Sequence, residues 1–176
     1  MNARKNNVGA SKQGRVHGRS SARLAAVQAL YQMDMAGTDL SVVVEEFNTH
    51  RLGCEIDGDQ YANADAVFFK DVLEGVVRSQ RALDPMLSEC LAEGWRLSRI
   101  DSILRAILRA GAYELEARAD IPAKSVINEY VDVAHAFFAA EEPKAVNGIL
   151  DKLARSLRPQ ELDAVRKNMP EAIKHA

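Results

Sequence analysis

Apolar residues recur along most of the chain at spacings of three and four, the period of a helix that buries one face. Leu24, Val27, Leu30, Tyr31 and Met35 begin the series after Ser20 or Ser21, and Gly37 supplies a stop. A second helix follows Asp39, with Leu40, Val43, Val44 and Phe47 on one side. From about Asn63 to Leu83, Phe68, Val72 and Val76 run beside Phe69, Leu73 and Val77, two adjacent ridges that predict a central helix with neighbours on both flanks. Asp84-Pro85 predicts the cap and first turn of a short helix ending near Gly94. Ser98 to Asp101 has capping-box spacing, and Ile100, Ile103, Leu104, Ile107, Leu108 and Leu115 carry the next stripe to about Arg118. After Ile121-Pro122, Val126, Ile127, Tyr130, Ala134, Phe137 and Phe138 define another helix; after Pro143, Val146, Ile149, Leu150, Leu153 and Leu157 define one more. Leu162, Val165 and Met169 predict a short terminal helix.

In this reading all five prolines fall between helices, and no alternating strand pattern is present. The expected fold is all-α, a bundle of about seven helices in two subdomains, residues 20–83 and 84–158, followed by a tail at 159–176 that carries the short helix. The stretch from Leu52 to Gln60, with two glycines among acids, reads as a loop.

Charge changes the picture. The 23 Lys and Arg nearly balance 25 Asp and Glu, but residues 1–23 hold Arg4, Lys5, Lys12, Arg15, Arg19 and Arg23 and no acid. The head therefore carries +6 and the remainder -8. Residues 1–19 have scarcely an apolar anchor and are expected to be disordered. Arg15, Arg19 and Arg23 crowd the expected start of the first helix, where the dipole favours acids, and the first acid comes only at Asp34. A polyanion would supply the missing charge, and Gln28 and Tyr31 further along could read and stack an unpaired base. Changing Arg19 and Arg23 together to Glu is expected to abolish RNA binding and leave helicity intact.

Catalytic signatures are missing from the sequence: it has no phosphate-binding glycine loop, and its four histidines lie far apart along the chain. Cys54 and Cys90 belong to no metal-ligand spacing and read as small core residues. No cofactor, metal or catalytic residue is expected. With no apolar run long enough to span a bilayer and no secretory leader pattern, a cytoplasmic location is expected.

Ser21-Ala22-Arg23 running into Ala26 to Tyr31, then Phe69-Lys70-Asp71, Ile107-Leu108-Arg109, Ala112-Tyr113-Glu114-Leu115, Ile121-Pro122, Val126 to Glu129 and Val146 to Asp151 together resemble the NusB family of transcription antitermination factors. The resemblance runs in order over about residues 20–158. It implies a factor that binds single-stranded boxA RNA together with ribosomal protein NusE, within an RNA polymerase complex that supports ribosomal RNA transcription. It carries RNA contacts onto Arg19, Arg23, Gln28, Tyr31 and the segment from Lys144 to Asn147, with Phe69 and Lys70 near the same groove. Arg105, Glu141 and Glu142 match the NusE-facing side, whereas Asn128, Glu129 and Gly148 read as structural, the glycine as a place of close packing. The arginines here are more dispersed than the family's, and Ala145 stands where the family favours Phe, so weaker RNA contacts are expected. Two other readings stay open. One is a protein-binding scaffold whose helices could self-associate as a homodimer, and the other is the NusB-like module of RNA methyltransferases.

Overall fold

A computed structural model describes the backbone of residues 7–52, 55–56, 59–60 and 64–167, and the side chains of 17–52 and 64–163. Among these residues the chain forms seven helices: α1 Asn7–Ala36, α2 Leu40–His50, α3 Ala66–Cys90, α4 Ser102–Ala117, α5 Ala123–Phe137, α6 Glu141–Leu157 and α7 Pro159–Lys167. Between α2 and α3, in the stretch expected to be a loop, Glu55–Ile56 (β1) pairs antiparallel with Asp59–Gln60 (β2). The all-α expectation holds apart from this two-residue ribbon.

Helix α4 is the axis. It packs against α1, α3, α5 and α6, and the buried side chains of all these helices form one continuous cluster. Its fully or nearly fully buried residues include Leu104, Ile107, Leu108, Tyr113 and Leu115. Small residues at Ala106, Ala110, Gly111 and Ala112 are buried as well, and at Gly111 a Cβ would lie 2.7 Å from the Leu150 side chain. Phe69 and Phe47 stack 5.4 Å apart and join α3 to α2.

Local signals account for three of the helix ends. Gly37 takes a φ of +63° and donates its N–H to the Met33 carbonyl, which closes α1. Asp65 caps α3 by accepting from the Phe68 N–H at 2.9 Å, and its own N–H reaches the Gly18 carbonyl, so the start of α3 is tied to α1. Asp101 caps α4 by accepting from the N–H groups of Ile103 and Leu104.

Four expectations need correction. The first helix begins at Asn7, not at Ser20, so the basic head is helical from Asn7 onward. The packed turns after Gly18 supply the nucleus from which this segment extends, although Gly9 and Gly14 within it are poor helix formers. Pro85 lies inside α3 and opens no separate helix, so the 83/84 boundary falls within a continuous element. Leu83 and Leu87 are both buried, and burial on either side of the proline offsets its lost hydrogen bond. The capping residue of α4 is Asp101 in place of Ser98. At Gly148 a Cβ would meet no atom of the described residues within 4 Å, so among them this glycine serves no close packing.

The segment after α6 also gains a role that its sequence did not reveal. Arg158 donates to the carbonyls of Glu114, Leu115, Arg118 and Ile121 at 2.7 to 2.9 Å, satisfying the C-terminal end of α4. Helix α5 begins after Pro122, which has no side-chain acceptor, and Glu161 of α7 accepts from the Ala123 N–H at 2.6 Å instead. Cys90 is half-buried and free, its thiol pushed up by burial, and Cys54 lies outside the described residues.

Glycine substitutions separate close packing from open space. A Cβ at Gly75 would lie 2.1 Å from the Tyr113 ring, so Gly75→Ala should destabilise by about 1–3 kcal/mol in urea denaturation. Gly148→Ala, in an exposed helical position, should stabilise by about 0.5–1 kcal/mol in the same measurement.

Candidate nucleic-acid interface

Arg23 is the first surprise. Its residue is 3% exposed, and its guanidinium grips the fully buried Glu114 of α4 through two bonds of 2.8 and 2.9 Å. Glu129 of α5 lies 3.4 Å from the same group, and the Tyr130 hydroxyl donates to Glu114 at 2.7 Å. Burial works against the Arg23 charge, but the bond to Glu114 and the nearby carboxylates outweigh it and hold the guanidinium above its ordinary pKa. The polypeptide thus supplies the negative groups that local charge counting could not find. Arg23 is a structural cation, unavailable to RNA, and Glu129 keeps the structural role expected of it. Nor does the dipole argument survive, because α1 starts at Asn7 and Arg23 sits more than four turns inside it.

Phe69, also expected near RNA, is fully buried against Phe47. Its neighbour Phe68 is the more informative ring: the guanidiniums of Arg19, Arg23 and Arg118 lie 5.1, 4.9 and 5.2 Å from its centre. Arg118 is fixed there by Asp120 and Asp71, which raise its pKa against partial burial, and its bond pulls the Asp120 carboxyl down to about 2. No carboxylate among the described residues lies within ion-pair distance of Arg19, although its charge is felt at Asp120. Arg15 lies in α1, but its side chain is outside the described ones.

Gln28 and Tyr31 occupy a different place. With Val27, Gln32, Met35, Arg51, Ile103 and Phe137 they line an open groove of about 450 Å³. Tyr31 is 37% exposed, so its ring meets solvent as well as the groove. Arg51 rests over the Phe47 ring at 4.8 Å and reaches Glu46 at 3.6 Å. Nine residues separate Arg19 from Gln28, which on a regular helix puts them on opposite sides of α1. The two groups expected to face one strand are therefore divided by the helix that carries them.

Phe137, the last residue of α5, lines the groove, and α6 opens four residues later at Glu141. On α6, Lys144 and Asn147 are exposed, and Lys144 reaches Glu141 at 3.2 Å. Lys70 is exposed on α3 beside Glu74 at 3.7 Å. In the sequence Phe137 reads as part of the α5 stripe, and Arg51, the residue after α2, carries no local signal that would place it in a groove.

The side expected to face a protein partner is likewise redistributed. Arg105 bonds to Asp34 of α1, to the Leu97 carbonyl and to the Ser102 hydroxyl, so it ties α4 to α1. It nevertheless lines a second groove of about 530 Å³ with Asp84, Ser88, Trp95, Arg96, Leu97 and Arg109. Trp95 is 47% exposed there. Glu142 is half-buried and Glu141 exposed at the start of α6, away from that groove's lining.

The sequence profile of the NusB family matches residues 20–155. The chain belongs to the NusB family. It is 57% identical over 143 residues to the transcription antitermination protein NusB of Rhodopseudomonas palustris strain HaA2, covering 81% of this chain and 85% of that one. The Nitrobacter hamburgensis protein of the same name is also 57% identical, over 81% of this chain and 89% of its own. Among solved structures, T. maritima NusB superposes with a TM-score of 0.65 at 29% identity, covering 82% of this chain and 96% of that chain. The NusB of a complex of NusB and NusE with double-stranded RNA shares the fold, with a TM-score of 0.66 at 22% identity over 79% of this chain and 97% of that one. No helix among the described residues is long and apolar enough to cross a membrane.

Loss of the buried ion pair should be strongly destabilising. Arg23→Ala leaves Glu114 buried without its cation and should cost about 3–5 kcal/mol in urea or thermal unfolding, whereas Arg19→Ala should stay within about 1 kcal/mol of the parent. The pair also sets an alkaline limit. Burial, and then the Glu114 charge, raise the Tyr130 phenol well above its ordinary range. The folded state therefore favours the neutral phenol, and its contribution is complete below the unfolded pKa of about 10 and fades as pH rises beyond it. Urea midpoints between pH 8 and 11 should fall, and Tyr130→Phe should flatten part of that fall.

Proposed function

We propose that this chain acts in transcription antitermination, binding single-stranded boxA-type RNA together with ribosomal protein NusE within an RNA polymerase complex that supports ribosomal RNA synthesis. The observation that carries the RNA half is the groove beside α1, where the Gln28 amide, the exposed Tyr31 ring and the Arg51 guanidinium meet next to Phe137. An unpaired base stacks on such a ring, an amide can bond its edge, and a guanidinium can hold the adjoining phosphate. On this reading Lys144 and Asn147, exposed on α6, add further contacts to the strand, and Arg19 offers a phosphate contact on the far side of α1. The bare helical surface at Gly148 suits the same reading, since nothing among the described residues packs against it.

The protein half is supported by the second groove. An exposed tryptophan among arginines, beside Asp34 and Asp84, has the aromatic and Arg-rich character of a partner-binding patch. On this reading NusE meets Trp95 and the surroundings of Arg105, and the two grooves together raise the local concentration of each ligand for the other.

Titration of the chain with a boxA-type oligonucleotide, with and without NusE, tests both halves. Tyr31→Ala and Lys144→Glu should each weaken RNA binding by about tenfold, at unchanged stability. A variant that no longer reaches one phosphate should show a slope of log affinity against log salt shallower by about 0.7. Trp95→Ala should weaken NusE binding and leave the affinity for RNA alone unchanged. Equal RNA affinity in the Tyr31 and Lys144 variants would place the strand elsewhere.

A further inference from the structure

Arg158, which links α6 to α7, and Glu161 of α7 lie beyond residues 20–155, the segment matched to the family, and together they hold the turn between α4 and α5. The Arg158 guanidinium, its side chain 10% exposed, donates to four carbonyls at the end of α4 and in the turn that follows. Glu161, one helical turn later, accepts from the first N–H of α5 and lies 3.5 Å from Arg158. Leu162 packs against the core and anchors the segment.

What the turn carries makes this arrangement more than a helix cap. Arg118 belongs to it. Its carbonyl is held by Arg158, while its side chain spans Asp71 and Asp120 and lies over the Phe68 ring that Arg19 shares. Glu114, whose carbonyl Arg158 also holds, fixes Arg23 on α1 through its carboxylate. Two short series of contacts thus run from Arg158 through the end of α4 to α1, one reaching Arg19 by way of the Phe68 ring and the other reaching Arg23 through Glu114.

We propose that Arg158 and Glu161 are positioning residues for the nucleic-acid face: together they clasp the α4–α5 turn and so set the Arg118–Phe68–Arg19 cluster against the flank of α1. The RNA consequence rests on the function proposed above; the mechanical link does not. Without the Glu161 carboxylate, the Ala123 N–H loses its acceptor and the turn opens more often. Arg118 then samples positions off the Phe68 ring, and Arg19 is held in fewer of the molecules.

Amide hydrogen exchange on the full-length chain tests the link without RNA. In Glu161→Ala, exchange at residues 118–126 should rise about fivefold, the size of one missing cap, and the rise should reach residues 18–23 of α1. Glu161→Gln keeps an acceptor oxygen and should restore both regions, which a general loss of stability would not allow. Faster exchange confined to the turn, with α1 unchanged, overturns the proposal, as does unchanged exchange at the turn. Affinity for a single-stranded boxA-type oligonucleotide should fall in Glu161→Ala by no more than the same factor and recover in Glu161→Gln. If the parent chain binds no such RNA, the proposed function falls while the exchange data still decide the clasp.

Discussion

The buried contact of Arg23 with Glu114 is the constraint around which the molecule is arranged. Two charges removed from water cost several kcal/mol each unless they meet one another in good geometry. Here both partners are essentially fully buried, doubly bonded, and completed by Tyr130 and Glu129. Such a pair adds little net stability over a well-packed apolar substitute, but it forbids alternatives. Turning α1 by one residue would swing the guanidinium away by about 100° and leave two buried charges alone. The rotation of α1 is therefore fixed by a residue on α4, and that rotation turns Gln28 and Tyr31 toward the groove.

Period and punctuation made most of the architecture readable. The stripes of α2, α4, α5 and α6 each lie on the faces that the structure buries, because a helix with one apolar side has few ways to hide it. What failed were the readings that needed distance in sequence. Asp84-Pro85 has the local form of a helix start, yet Leu83 and Leu87 are both buried and the helix runs through. Ser98 has capping-box spacing, yet Asp101 lies where the stripe begins and takes the N–H bonds. Local rules propose helix ends, and packing chooses among them.

The functional residues were legible unevenly for the same reason. Gln28, Tyr31, Lys144 and Asn147 lie at or near the surface, where residue type is a fair guide to role. Arg23 sits one turn from Arg19 and matches it in type and in local charge, yet Glu114 lies 91 residues further along and decides the difference. Phe68 and Phe69 are adjacent and alike in sequence. One gathers three guanidiniums and the other stacks on Phe47, because successive helix positions point about 100° apart. The ordered family motifs predicted the fold correctly and could not tell which arginine was free.

A formal charge is available to a ligand only to the extent that the fold has not already used it. Arg23, Arg105, Arg109, Arg118 and Arg158 are all occupied by carboxylates or carbonyls within the chain. Beyond Arg23 the chain holds 17 basic residues against 25 acidic ones, and several of those 17 are engaged internally. A body with so few uncommitted cations cannot hold a polyanion by a broad electrostatic field. On the proposed reading it must work through a few placed contacts: a stacking ring, an amide and isolated cations, supplemented by surface that a bound partner brings. That makes the geometry of α1 more important than the charge of its head.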